Sequence, residues 1–146
     1  MTKFIESPAV KKLCELTKES YLRYWDERNG GNVSVRLEAS EVAAYEDVKE
    51  VKRVLDLGFD ASTLAGYYYL VTGTGRYFRN VTNQPLLDLG LVRISADGKK
   101  AELLWGFEDG GKPTSEFASH LMSHIERLKV NPNHKVVFHC HPTNLI

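Results

Sequence analysis

The sequence predicts a mixed α/β domain. Three observations carry that reading. Two stretches, 8–25 and one beginning at Thr114, repeat apolar residues at helical spacing. Five runs are rich in β-branched, aromatic and other apolar residues. Two of those runs flank an Ala96-Asp97-Gly98 turn and read as a hairpin. A length of 146 residues suits one domain with a real core.

Ser7-Pro8 opens the first helix, with Ser7 as cap and Pro8 at the first helical position. Val10, Leu13, Cys14, Thr17, Tyr21, Tyr24 and Trp25 form its stripe, so the helix is expected to reach about Trp25. Asn29-Gly30-Gly31-Asn32 is a turn, and Val33 to Leu37 alternates as a strand. That turn reads either as a plain connection or as backbone amides and an Asn32 side chain bared to hold an anion. Glu38 to Leu64 is charged and reads as a peripheral helical segment, with Val48, Val51, Val54 and Leu55 on one face and Gly58 ending it. Tyr67 to Thr72 is a strand whose tyrosines serve packing. In Gly73-Thr74-Gly75 the glycines let a ligand approach the backbone, and Thr74 adds a hydroxyl. Arg76 to Val81 is a polar turn with aromatic anchors. Leu87–Ser95 and Lys100–Trp105 are the hairpin strands, and Gly110 to Pro113 is a loop. Thr114 caps the second helix, which buries Phe117, Leu121, Ile125 and Leu128. Asn131-Pro132-Asn133 ends it, and Val136-Val137-Phe138 leads as a strand into His139.

Composition narrows the function. Nineteen basic residues balance nineteen acidic ones, so no basic surface advertises nucleic acid or an anionic membrane. No apolar run is long enough for a membrane span, and the first residues are not a signal peptide. Cys14 and Cys140 are too few for a disulfide framework, which favours a cytoplasmic, reduced setting. Thr143-Asn144-Leu145-Ile146 has no tail character, so the sequence reads as the N-terminal part of a longer chain.

The chemistry gathers near the end. Side chains alternate along a strand, so His139 and His141 share a face and Cys140 points away. Two imidazoles on one face suit zinc or a similar divalent ion, although a catalytic zinc site takes about three protein ligands. The start of the Thr114 helix offers unpaired amides and the hydroxyls of Thr114 and Ser115, an anion site by its chemistry. Glu116 there complements the helix dipole or acts as a general base beside the metal. His120 and His124 share a helix face, lack the metalloprotease pattern, and read as surface or satisfied core residues.

Asn29-Gly30-Gly31-Asn32-Val33-Ser34, Thr72-Gly73-Thr74-Gly75, Lys112-Pro113-Thr114-Ser115-Glu116 and His139-Cys140-His141-Pro142 occur in an order and spacing that resemble the class II aldolase and adducin-head family. The resemblance implies a three-layer α/β/α fold around a largely antiparallel sheet, with residues 1–146 as a single domain lacking its C-terminal portion. It implies zinc (Zn2+) held by His139, His141 and a later histidine absent from these residues. It assigns proton transfer to Glu116, and the phosphate and hydroxyls of a phosphorylated ketose to Asn29, Asn32, Thr74, Gly75, Thr114 and Ser115. The long segment before Thr72 and the Arg79-Asn80-Val81 context favour cleavage of rhamnulose 1-phosphate to dihydroxyacetone phosphate and lactaldehyde. Fuculose-phosphate cleavage, ribulose-phosphate epimerisation and a non-catalytic adducin-head interaction module remain alternatives. The resemblance further implies a homo-oligomer, a tetramer at full length. Residues 1–146 alone are expected to be inactive, with the histidine strand an exposed edge.

Overall fold

The computed structural model describes residues 3–26 and 30–141. In chain order these form α1 (Pro8–Leu22), β1 (Asn32–Leu37), α2 (Ala39–Ala43), β2 (Arg53–Asp56), β3 (Tyr68–Thr72), α3 (Phe78–Val81), α4 (Pro85–Asp88), β4 (Leu89–Ile94), β5 (Lys100–Gly106), α5 (Phe117–Val130) and β6 (Val136–His139). The strands make one sheet in the order β2-β5-β4-β3-β1-β6, and every pairing is antiparallel.

The alternation of side chains along the strands supplies two cores. Val33, Leu37, Leu70, Leu89 and Leu91 face one side, where Val10 and Leu13 of α1 cover them. Tyr69, Val71, Val92, Ile94 and Leu103 face the other, under Phe117 and Leu121 of α5. The three-layer α/β/α architecture follows. In β5 the register slips: Trp105 opposes Leu91 while Leu103 opposes Val92. Leu104 is the extra residue of this bulge, and it joins Trp105 in the first core.

Local chemistry explains where the elements differ from expectation. Ser7 Oγ accepts from the Val10 amide and Pro8 is the first helical residue, as the sequence indicates. The helix, however, ends at Leu22 rather than Trp25. Tyr24 adopts φ 58°, its amide donates to the Tyr21 carbonyl, and the Trp25 amide donates to Ser20. That pair of bonds is a Schellman cap with tyrosine where glycine is usual.

The helical segment expected over 38–64 is overturned. Only Ala39–Ala43 is α-helical there, and Arg53–Asp56 is an edge strand on β5. Val48 is buried, but Val51 and Val54 are exposed, so the apparent helical face is no face at all. The first hairpin strand starts at Leu89, because Pro85–Asp88 form a helical turn. The 78–81 part of the expected polar turn is likewise helical.

Candidate active site

The start of β1, the end of β3 and the end of β6 lie at the same end of the sheet, because β1 runs antiparallel to both neighbours. Asn32 pairs with His139 across that end. The Gly73–Gly75 turn follows β3 and is zipped to the segment before α5. The Thr74 amide donates to the Lys112 carbonyl, the Thr114 amide donates to the Thr72 carbonyl (each 2.9 Å), and Gly73 bridges Pro113. A Cβ on Gly73 would stand 3.0 Å from Phe107 and 3.3 Å from the Lys112 carbonyl, so this approach favours a glycine. Gly75 closes the turn at φ 71°. Thr74, Gly75 and Ser115 are exposed, while Thr114 is buried. Arg53 secures the 107–111 loop by donating to the carbonyls of Phe107, Gly110 and Gly111.

Helix α5 begins at Phe117, with its cap two residues later than the expected Thr114. Thr114 instead heads a turn: its carbonyl accepts from the Phe117 amide at 2.9 Å, and its Oγ1 accepts from the Glu116 amide at 3.4 Å. Glu116 is therefore the N-cap residue. Its carboxylate faces two ways. Oε2 accepts from Asn32 Nδ2 at 2.7 Å, and Oε1 stands 3.6 Å from His139 Nδ1. The side chains of His139 and Glu116 are half-exposed.

The histidine pair is brought together as the spacing implies. Nε2 of His139 and Nε2 of His141 are 2.8 Å apart, with ring centroids at 4.9 Å. The His141 amide donates to the Trp25 carbonyl, so the capped end of α1 anchors the second ring. Two imidazole nitrogens converging beside a carboxylate fit a borderline divalent cation such as zinc by donor type. Among the described residues no group of three or more His, Cys, Asp or Glu surrounds a metal position.

Asn32 is not bared to an anion. It is buried, with Nδ2 on Glu116 and Oδ1 on His120 Nε2. Asn29 and Pro142 lie outside the described residues. The sequence reading passed over the polar face of β1. Asn32, Ser34 and Arg36 are all buried, and His120 and His124 of α5 meet Asn32 and Ser34. The signal was available: side chains two apart on a strand and four apart on a helix advance by nearly the same length, about 6.8 Å and 6 Å. Burial lowers the pKa of both imidazoles to about 4. The Glu116 charge opposes the shift at His120 and the His139 charge adds to it. His120 and Arg36 add to the shift at His124.

Residues 11–146 match the family described as Class II Aldolase and Adducin N-terminal domain. Rhamnulose-1-phosphate aldolase of Listeria monocytogenes serovar 1/2a is 50% identical over 147 residues, covering all of this chain and 54% of that protein. The protein of the same name from Enterococcus faecalis is 44% identical, covering 97% of this chain and 51% of its own length. The crystal structure of a sugar-phosphate aldolase from Thermotoga maritima superposes with a TM-score of 0.77 at 35% identity, covering 93% of this chain and 54% of that one. The chain thus spans about half the length of the curated relatives it matches. Among the described residues no helix is long and apolar enough to cross a membrane. With its sheet, its zipped turns and its histidine pair in the family's order, the chain belongs to the class II aldolase and adducin N-terminal domain family.

Proposed function

We propose that the protein is a metal-dependent lyase that cleaves rhamnulose 1-phosphate into dihydroxyacetone phosphate and lactaldehyde. The observation that carries this reading is the meeting, at one end of the sheet, of the His139–His141 pair, the Glu116 carboxylate and the zipped turns at 73–75 and 112–116. The names of the similar aldolases add the sugar.

His139 and His141 would hold the metal, zinc, together with a third ligand from outside residues 1–146. When bound, the ion supplies Lewis acidity toward the ketone of the substrate. Glu116 moves the proton at the carbon that becomes nucleophilic, using Oε1, the oxygen not taken by Asn32. Asn29, Thr74, Gly75, Thr114 and Ser115 take the phosphate and hydroxyls, so binding energy at the phosphate orients the reacting carbons. Asn32 serves substrate binding from behind, through Glu116. Residues 1–146 make one domain of a cytoplasmic enzyme that works as a homotetramer. Taken alone they are inactive, because two imidazoles hold zinc more weakly than three in a closed site.

The test is to incubate the full-length protein with rhamnulose 1-phosphate and follow dihydroxyacetone phosphate by coupled reduction. Release that stops with a chelator and returns with zinc supports the reading. Faster release from fuculose 1-phosphate changes the sugar. Epimerisation of ribulose 5-phosphate at C4 without release of fragments makes it an epimerase. Full-length protein with neither metal nor turnover is an interaction module.

A further inference from the structure

The second face of β1 carries a chain of polar groups, buried at its inner end, whose inner members Ser34, His120 and His124 have no part in the proposed reaction. From the core outward it runs His124, Ser34, His120, Asn32 and Glu116. Ser34 Oγ lies 2.8 Å from His124 Nε2 and 2.7 Å from His120 Nδ1. His120 Nε2 meets Asn32 Oδ1, and Asn32 Nδ2 is 2.7 Å from Glu116 Oε2. Ser34, His120 and His124 are all under 4% exposed, so solvent does not satisfy them. The chain exists because Glu116, His120 and His124 step along a helix by four while Asn32 and Ser34 step along a strand by two.

Hydrogen-bond valence fixes the direction of every link. A carboxylate only accepts, so the Asn32 amide nitrogen must face Glu116 and its carbonyl must face His120. That carbonyl also only accepts, so His120 carries its hydrogen on Nε2. A neutral imidazole has one N–H, so His120 Nδ1 accepts and the Ser34 hydroxyl donates to it. The hydroxyl hydrogen is then committed, and Ser34 Oγ accepts from a hydrogen on His124 Nε2. All the hydrogens point toward Glu116. Each donor is polarised by the one behind it.

We infer that His120, backed by Ser34 and His124, is a positioning residue that fixes the Asn32 amide so that Nδ2 grips Glu116 Oε2 and leaves Oε1 as the working oxygen. The inference rests on the proton-transfer role given to Glu116 above. Without His120 the Asn32 amide has no fixed sense. Turned over, it would set its carbonyl against the carboxylate and push Glu116 off its seat. The side chain of Glu116 is 44% exposed, and Asn32 Nδ2 is the donor that holds Oε2 in place.

The test uses full-length protein in two arms. In the first, nitrogen NMR of histidine-labelled protein at neutral pH reads the tautomers. His120 and His124 should both appear neutral with hydrogen on Nε2. Hydrogen on Nδ1 of His120, or a doubly protonated ring, overturns the inference whatever the substrate proves to be. In the second, His120→Phe removes the donor, while His120→Gln can place an amide hydrogen near the same point. His120→Phe should lower kcat roughly ten- to a hundredfold with KM and metal content nearly unchanged, because a misaimed group costs rate rather than binding. His120→Gln should recover most of the loss. Normal kcat in a folded His120→Phe protein, or equal damage in both variants, overturns the inference. If rhamnulose 1-phosphate is not cleaved at all, the proposed function fails, and the tautomer arm still decides the chain.

Discussion

At the scale of single residues, the proposed site separates into groups expected to touch a reacting centre and groups that hold them. His139→Ala and His141→Ala should each strip the metal from full-length protein, because the two Nε2 atoms converge on one point. Elemental analysis checks this, and unchanged zinc in both variants would count against the pair as ligands. Glu116→Gln should keep metal and fold yet lose on the order of a hundredfold or more in kcat. A residue that merely complemented the helix dipole would change stability by at most about 1 kcal/mol and leave turnover alone. The sequence made the histidine pair and Glu116 legible because short motifs hold them. It hid the partners of Asn32, because those lie 84 and 88 positions away. A polar residue alternating with valine reads as a solvent face until a helix with matching histidines is laid over it.

At the scale of elements, the hairpin, β1, β3, β6 and both long helices were legible, since each is specified by its own periodicity and caps. Strand β2 was not. Its hydrogen bonds come from β5, with Arg53 opposite Leu103 and Asp56 opposite Lys100. Its own side chains, Arg-Val-Leu-Asp, alternate only between half-buried and exposed. Tertiary pairing decided that element against a spurious helical spacing of valines. The end of α1 offers a cleaner test of local chemistry. Tyr24 is 76% exposed and pays for its left-handed backbone without any packing return. Tyr24→Gly should stabilise the protein by about 0.5–1 kcal/mol. Chemical denaturation would measure it, and a loss of stability would show that the tyrosine ring contributes more than its exposure implies.

For the whole molecule, two buried imidazoles under one helix make stability depend on pH. An unfolded histidine titrates near 6.5, whereas burial holds His120 and His124 near 4. Between those values the unfolded chain binds more protons, so stability falls as pH drops through the window from 6.5 to 4. Glu116 beside His120 softens the fall, while Arg36 facing His124 sharpens it. Each imidazole carries on the order of 3 kcal/mol by this route. The melting temperature should decline between pH 6.5 and 4, and His124→Gln should flatten that decline. An identical decline in the variant would place the acid sensitivity elsewhere.

Strand β1 sits between β3 and β6, and while β3 follows soon, β6 and the histidines of α5 arrive very late in synthesis. Ser34 leaves the ribosome about a hundred residues before Val137, which it opposes, and long before His120 and His124. At typical elongation rates that is a wait of several seconds or more. During it, one edge of β1 and a row of polar groups meant for burial face water. In the β3–β4–β5 meander, β4 and β5 close over the 95–99 turn and β3 reaches β4 through residues 73–88, so these pairings draw on neither end of the chain. The end of the sheet that carries His139, His141 and Glu116 is thus expected to close last, around a finished platform. Pulsed hydrogen exchange during refolding should find the amides of β3, β4 and β5 protected first, and those joining β1 to β6 last. Simultaneous protection of all six strands would mean that the platform has no independent existence.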